Sequence, residues 1–179
     1  MVVLEILKGQ YRFVGNEERL QLTDGRYVKI NYASSGQQEA VWIINILFYY
    51  LLYSHNVYFI IEEPESNLYP EAQMYMTELI ALVKNSGHKM LVTTHSPYVL
   101  GSLNNLLFAD KIDAKKTKEV NKVLNSAKVI KNEDLSAYYL KNGSIRNIKD
   151  DGLIENEVID GASGMINEKF DALLEIQMR

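Results

Sequence analysis

The chain has 179 residues, a hydrophobic fraction of 47%, a net charge of −4 and no cysteine. This length and hydrophobic fraction suffice for one folded domain with its own core, and they exclude a disordered chain. The acidic balance gives no overall basic field that would attract nucleic acid. The absence of cysteine excludes disulfides and thiolate metal sites and fits the reducing cytoplasm, where we expect the protein to work. The longest apolar run, residues 40–53, contains Asn45 and is shorter than the roughly 20 residues of a transmembrane helix, so we expect no membrane partner.

The first segment, residues 1–32, is predicted to be β-rich, with an initial strand such as Val2 to Leu7. Residues 20–23 and 26–30 flank Asp24-Gly25, which favours a tight turn with positive φ. The pattern therefore predicts a short N-terminal β-hairpin region.

A helix is predicted from about Gly36, with Ser35 as N-cap and Gln38 completing a capping box. Residues 41–52 are apolar on nearly every face of that helix. Such a helix is expected to be buried, most simply against a sheet.

Strand, helix and strand follow at residues 57–61, 71–83 and 89–94, a spacing typical of a βαβ unit. The first of these strands is continuously apolar, which favours a parallel strand covered on both faces. Another helix is predicted from Pro97. Beyond residue 109 we expect edge strands at 127–130 and 137–140, a turn at Asn142-Gly143 and an amphipathic C-terminal helix at about 168–178.

These elements predict an α/β fold, a mainly parallel sheet flanked by helices, in one domain spanning residues 1–179. Residues 33–110 would form its core, and residues 111–179 would add peripheral strands and the last helix.

Two adjacent carboxylates, Glu62 and Glu63, follow the first strand of the βαβ unit, at the end where open α/β sheets bind ligands. Mg²⁺ with a bound nucleotide would compensate their charge. Glu65 adds a third carboxylate. The alternative interpretation is a strand that ends in a solvated acidic loop.

His95 follows the second strand, so adjacent parallel strands would bring it near Glu63. An imidazole there could bond a phosphate oxygen or an attacking water. Alternatively, His95 caps the following helix. We assign no role to His55 and His88, which fall in predicted loops.

Ser34, Ser35 and Gly36 open a helix, and the N–H groups at a helix N-terminus bind anions. Gly36 would permit close approach of a phosphate. The alternative is an ordinary capped helix. Each block alone is weak evidence, but their common order and their placement on strands and helices make coincidence improbable.

Together, the blocks 33–38, 59–65 and 91–96 resemble the signature motif, Walker B strand and switch-histidine loop of ABC-type ATPases. More specifically, the chain resembles ABC-like AAA ATPases related to the overcoming-lysogenization-defect (OLD) proteins and abortive-infection toxins. The segment Glu62-Glu-Pro-Glu-Ser-Asn-Leu-Tyr-Pro70 is the most diagnostic, although Tyr69 replaces the histidine usual in that family.

The resemblance implies ATP hydrolysis with Mg²⁺ in a head-to-tail homodimer of P-loop NTPase-like heads. It makes Glu63 and His95 catalytic, as general base and γ-phosphate contact, and Glu62 a Mg²⁺ ligand through water. The remaining implied contacts form two groups: Ser34, Ser35, Gly36 and Gln37 on the ATP phosphate of the opposite protomer, and Glu65, Ser66 and Asn67 as the D-loop at the dimer interface.

The phosphate-binding Walker A motif, Gly-x-x-x-x-Gly-Lys-Ser/Thr, does not occur in the chain. We therefore expect a C-terminal half of an ATPase that is inactive alone and needs a Walker A half as partner. The alternative function is a non-catalytic interaction module that lends its signature motif in trans to a complete ATPase.

Other functions have weaker support. Five lysines between Lys111 and Lys122 could contact nucleic acid, but a solvated charged segment is the simpler interpretation. OLD-type relatives also carry a nuclease domain, for which this chain shows no convincing Asp-x-Asp cluster. Phage defence, DNA repair and toxin action all use such ATPases, so the resemblance does not assign the process.

Overall fold

A computed structural model describes residues 2–53 and 56–177 of the chain. Its helices are α1 (Val2–Leu7), α2 (Ser35–Tyr53), α3 (Pro70–Asn85), α4 (Pro97–Lys111), α5 (Thr117–Val123) and α6 (Asn156–Gln177). Its strands are β1 (Gln10–Val14), β2 (Glu17–Gln21), β3 (Tyr27–Lys29), β4 (Tyr58–Glu62), β5 (Lys89–Thr93), β6 (Tyr138–Lys141), β7 (Ser144–Asn147), β8 (Lys149–Asp150) and β9 (Leu153–Ile154). The fold is mixed α/β.

The N-terminal segment begins with a helix, so the prediction of a strand at Val2 to Leu7 is wrong. Ile6 and Leu7 are buried in the main core, and α1 packs against α2 and α3. These tertiary contacts outweigh the strand preference of the β-branched residues. The predicted hairpin is confirmed: β2 and β3 pair antiparallel around the turn at Asp24, and Gly25 has φ +85°.

The centre of the fold is a parallel pair, β4 and β5, joined through α3. The register places Tyr58 opposite Lys89 and Glu62 opposite Thr93, so both strands end at the same edge. One face, which includes Phe59 and Met90, packs into the main core with α2 and α3.

The other face of this pair is exposed, contrary to the prediction of a strand covered on both faces. Tyr58 and Ile60 of β4 are 59% and 64% exposed, and Leu91 of β5 is 48% exposed. A parallel pair with one bare apolar face is unusual, because parallel sheets are normally covered on both sides.

Helix α2 also has two different faces, so the prediction of a fully buried helix is wrong. Residues such as Ala40, Ile44 and Leu47 are buried in the core. The opposite face carries exposed large side chains at helical spacing: Trp42, Ile46, Tyr49 and Tyr53.

The C-terminal part has a second, smaller core in which Leu106 and Leu107 of α4 pack with Ile130, Ile148 and Ile154. The predicted turn at Asn142-Gly143 and the strand before it are confirmed by the β6–β7 hairpin. The strand predicted at 127–130 is wrong, because a 3-10 turn occupies Ser126–Lys128. The last helix is confirmed and begins earlier than predicted, at Asn156.

The expected mainly parallel sheet needs a correction. Within residues 2–53 and 56–177, β4–β5 is the only parallel pairing, and the four other pairings are antiparallel. The short strands after α4 return through tight turns, which allow only antiparallel neighbours. In the same described part, no helix is long and apolar enough to cross a bilayer.

Candidate functional site at the ends of the parallel strands

The predicted carboxylates lie where β4 ends. Glu62 is the last residue of β4, and its side chain belongs to the exposed face of the pair. The backbone N–H of Glu63 donates to the carbonyl of Thr93 at 3.0 Å, so the parallel pairing continues one residue beyond the strand. The end of β5 and the loop after it therefore lie directly beside Glu63.

The structure brings Glu63 and His95 together. Nδ1 of the imidazole lies 3.2 Å from Oε1 of the carboxylate, and the side chains are 73% and 49% exposed for His95 and Glu63. The other carboxylate oxygen, Oε2, accepts from the Ser66 hydroxyl at 3.2 Å. The Glu63 carboxylate is thus contacted from two sides and remains open to solvent.

The backbone around Glu63 is strained. Glu63 has φ +43° and Asn67 has φ +58°, so left-handed residues bracket the turn 63–67. Asparagine tolerates this conformation, but for glutamate it costs about 1 kcal/mol or more. Strain at a position whose side chain meets a histidine is typical of a functional site.

Glu65 is not on the surface. Its side chain is 2% exposed, and Oε1 accepts from the Thr94 hydroxyl and from the His95 backbone N–H, the latter at 3.4 Å. The predicted place of this side chain at a dimer interface does not fit its burial, because it is already bonded inside its own chain. Ser66 and Asn67 remain at the surface of the turn, where a partner could reach them.

The start of α2 differs by one residue from the prediction. Ser34 is the N-cap, not Ser35: its Oγ accepts from the Gln37 N–H at 3.3 Å, and Gln37 Oε1 accepts from the Ser34 N–H at 3.2 Å. This reciprocal pair is the capping box that the sequence suggested for Ser35 and Gln38. Gln37 also donates to the Leu7 carbonyl at 2.7 Å, which ties α2 to α1.

Packing requires a glycine at position 36. A methyl group added at Gly36 would lie 2.7 Å from the carbonyl carbon of Asn67, well inside van der Waals contact. The start of α2 therefore rests directly on the turn after β4. The Asn67 amide also donates to the Glu39 carboxylate at 3.3 Å, a contact that strengthens this junction.

The start of α2 and the turn after β4, which the sequence predicted as two halves of one site, are thus neighbours in the fold. Ser34 and Ser35 are exposed. Within the described residues, no hydrogen bond joins either serine to Glu63 or His95. The Ser34 hydroxyl bonds Gln37 as the cap of α2 and does not reach the carboxylate–imidazole pair of its own chain.

Sequence reasoning missed several residues that organise this edge. Ser96, not His95, caps α4, because its Oγ accepts from Tyr98 N–H at 3.1 Å, and this rules out the capping alternative for His95. The Ser96 hydroxyl donates to Gln73 Oε1, and the Gln73 amide donates to the Leu68 carbonyl at 2.9 Å. Ser96 before Pro97 offered a capping pattern, whereas nothing in the sequence indicated Gln73.

Among residues whose role the sequence left open, His88 is structural. It is buried, its Nδ1 accepts from Val57 N–H at 3.4 Å, and its ring packs edge-on to Phe59. His55 lies outside the described residues. Lys111 pairs with Asp151, and the other lysines of that segment, Lys115, Lys116, Lys118 and Lys122, are exposed.

The described residues would hold a Mg²⁺ ion only together with waters and the phosphates of a bound nucleotide. No group of three or more His, Asp or Glu side chains with metal-binding geometry occurs in the described residues. Mg²⁺ commonly takes one or two carboxylates and completes its shell with waters and substrate phosphates. The exposed Glu62 carboxylate suits that arrangement.

A concavity lies elsewhere, in an apolar groove of about 380 Å³ between α1, β1 and α2. Val3, Leu4, Ile44 and Phe48 line it, and its polar groups include Gln10 and Asn45. Tyr11 lies there too, and burial and the Glu18 carboxylate raise its pKa. The groove holds none of the paired acid–base groups of the strand ends, so we place the site at the strand ends.

Comparison with known proteins matches the chain to a family model. The family model described as the AAA ATPase domain matches residues 2–100, which is more than half of the chain and includes α1 to the start of α4. No curated protein and no solved structure matches. The matched region contains Glu62, Glu63, His95 and the start of α2. The chain therefore belongs to the AAA ATPase domain family.

Proposed function

We propose that this chain is the C-terminal portion of an ABC-like, OLD-related ATPase head that hydrolyses ATP in a head-to-tail dimer. One observation carries the proposal: Glu63 and His95 meet at 3.2 Å at the ends of adjacent parallel strands, both open to solvent. Membership of the AAA ATPase domain family supports the general activity.

In the proposed reaction, Glu63 accepts the proton of the attacking water. The hydrogen bond from the Ser66 hydroxyl to Oε2, the other oxygen of Glu63, restrains rotation of the carboxylate. With protons on both ring nitrogens, His95 would donate through Nδ1 to Glu63 and through Nε2 to the terminal phosphate, whose charge it would stabilise. Glu62 would hold Mg²⁺ through water, and the bound ion would neutralise charge on the phosphates.

The second half of the site would come from another protomer. Ser34 and Ser35 are exposed at the N-terminus of the 19-residue α2, where hydroxyls and N–H groups favour an anion. Gly36 and Gln37 would contribute there by shaping the turn, since Gly36 packs on Asn67 and Gln37 is bonded to Ser34 and Leu7. Ser66 and Asn67 remain the D-loop candidates.

The proposed head also needs a phosphate-binding segment with a Walker A motif. The exposed apolar face of β4–β5 supports this, because Tyr58, Ile60 and Glu62 all belong to it. A segment that covered this face would extend the fold and reach the exposed end of Glu62.

A second candidate function is a non-catalytic module that lends Ser34 and Ser35 to a complete ATPase. Both serine residues are exposed and make no hydrogen bond to Glu63 within the described residues, which favours this function. The two candidates differ in whether Glu63 itself carries turnover.

The test measures Mg²⁺-dependent ATP hydrolysis by the chain alone and in an equimolar mixture with the polypeptide encoded directly upstream. Glu63→Gln should lower turnover by about 10²- to 10⁴-fold under the first proposal. Ser35→Arg should obstruct the exposed turn without removing the Ser34 cap, and should lower turnover under both proposals.

Glu119→Gln, on the exposed surface of α5, serves as the matched control and should change nothing. Loss in Ser35→Arg with full turnover in Glu63→Gln would select the lending module. Hydrolysis that is absent in every mixture, or unaffected by both changes, would contradict both proposals.

A further inference from the structure

A buried carboxylate joins the loops that carry the two members of the carboxylate–imidazole pair. Glu65 lies in the turn after β4, two residues beyond Glu63. Its Oε1 accepts from the Thr94 hydroxyl and from the backbone N–H of His95 at 3.4 Å. The carboxylate therefore holds the peptide from which the imidazole projects.

The Thr94 hydroxyl extends this link. It donates to Glu65 and accepts from the Ser96 N–H at 3.0 Å. The three consecutive residues after β5 are thus connected, directly or through one hydroxyl, to a single oxygen of Glu65. The backbone at His95 has little freedom to turn independently of the β4 loop.

A second polar link runs parallel to the first. Gln73, in the first turns of α3, accepts from the Ser96 hydroxyl and donates to the Leu68 carbonyl at 2.9 Å. This link fixes the start of α4 against the end of the same turn. The two loops are therefore attached at two places, and His95 lies between Thr94 and Ser96, whose hydroxyls make these attachments.

Fold stability does not explain why the Glu65 carboxylate is buried. Glu65 is 2% exposed, and its other oxygen, Oε2, is buried without a hydrogen-bond partner in the described residues. An apolar side chain of similar size would fill this space without the desolvation of a carboxylate. The feature that an apolar side chain could not supply is the acceptor oxygen that fixes the His95 peptide.

We propose that Glu65 is a positioning residue that holds the His95 imidazole against Glu63. It acts through the His95 backbone and the Thr94 hydroxyl, and Gln73 supports it from the other end of the turn. The inference rests on the proposed function only in taking Glu63 and His95 as the hydrolytic pair. The position of the His95 imidazole against Glu63 can be tested without nucleotide.

The test reads the tautomer of His95 by ¹H–¹⁵N NMR of the imidazole at alkaline pH, where the ring is neutral. With Nδ1 facing the Glu63 carboxylate, the proton should reside on Nδ1. Glu65→Leu should release the His95 peptide, so the Nδ1–H signature should be lost and replaced by Nε2–H. Glu65→Gln keeps the acceptor oxygen and should retain the Nδ1–H form.

His88 is an internal control in the same spectrum. Its Nδ1 accepts from the Val57 N–H, so its proton should reside on Nε2 in every variant. The chain has three histidines, and a His55→Gln background leaves these two resonances. Glu63→Ala should reproduce the loss at His95, whereas Glu62→Ala should not.

Three results would overturn the inference: an Nε2–H form of His95 in the unaltered chain, an unchanged Nδ1–H form in Glu65→Leu, or the same loss in Glu65→Gln as in Glu65→Leu.

If Glu65→Leu also shifts the His88 resonance and so perturbs the fold, the Thr94→Val variant decides. It removes one hydroxyl and should reduce the Nδ1–H population while Thr94→Ser restores it, and no change in Thr94→Val would contradict the proposal. Absence of ATP hydrolysis would bear on the proposed function and would leave this tautomer result standing.

Discussion

Two neighbouring turns, the one after β4 and the one before α2, each carry residues that suggested a nucleotide site, but the structure explains them differently. At the start of α2, each notable residue has a task in folding. Ser34 caps the helix, Gln37 links it to α1, and Gly36 makes room for Asn67. Its sequence would be equally suitable in a helix that binds nothing.

The turn after β4 shows the reverse pattern. Glu63 occupies a left-handed conformation that glutamate disfavours, and Glu65 is buried with one oxygen unpartnered. Neither feature helps the chain to fold. The comparison teaches that evidence for function is stronger where residues oppose stability than where they serve it, and stability measurements can test this directly.

The largest expected effect is at the contact between the two turns. Gly36→Ala places a methyl group against the Asn67 backbone, which cannot move aside as a flexible side chain would. We expect the free energy of unfolding to fall by about 3 kcal/mol, measured by urea denaturation. The matched control is Gly101→Ala in α4, where the added methyl meets nothing within 4 Å. That change should instead stabilise the protein by about 0.5–1 kcal/mol, because alanine is the better helix former.

The next effect separates the two serines before α2. Ser34→Ala removes the hydroxyl that caps the helix and should lower the free energy of unfolding by about 1 kcal/mol. Ser35→Ala should change it by less than about 0.5 kcal/mol, because Ser35 lies inside the helix and is exposed. Equal losses at both positions would contradict the assignment of Ser34 as the cap.

A smaller effect of opposite sign is expected after β4. Glycine adopts the positive φ of residue 63 without strain, whereas glutamate does not. Once the entropic cost of glycine is subtracted from this gain, Glu63→Gly should raise the free energy of unfolding by about 0.5 kcal/mol. Glu62→Gly, one residue earlier in the regular strand, should lower it by about 0.5–1 kcal/mol. If both changes destabilised the chain equally, Glu63 would not be strained, and the contrast between the turns would lose its main support.

The sequence predicted the parts of this fold that depend on local pattern. The β2–β3 hairpin, α3, the parallel pairing of β4 with β5 and the approach of His95 to Glu63 all follow from turn residues, periodicity and strand order. The sequence did not predict the features that depend on contacts between residues far apart in the chain. Val2 to Leu7 became a helix because α2 and α3 cover it, and the exposed faces of α2 and β4–β5 cannot be told from buried ones by composition.

The candidate site shows the same division. Residue type and order were enough to predict that Glu62 ends β4 and that His95 lies beside Glu63. Burial of Glu65 and the link through Gln73 depend on how the turn folds back over β5, which no spacing rule encodes. The sequence singled out Gly36, but it did not indicate that a larger residue there would collide with the Asn67 backbone.

The smallest effect provides a baseline from a surface pair outside both turns. Lys84, at the end of α3, bonds Asp134 and lowers the pKa of that carboxyl below its ordinary value of 3.8. A lowered pKa in the folded state means that the pair stabilises the protein above pH 3.8, and that this contribution is lost as the pH falls through the lowered pKa. Lys84→Met should therefore lower the free energy of unfolding slightly at pH 7 and should reduce its loss upon acidification, measured by urea denaturation at pH 7 and pH 3. Because the pair is exposed, its effect should also diminish in high salt, whereas the Gly36→Ala loss, which is steric, should not.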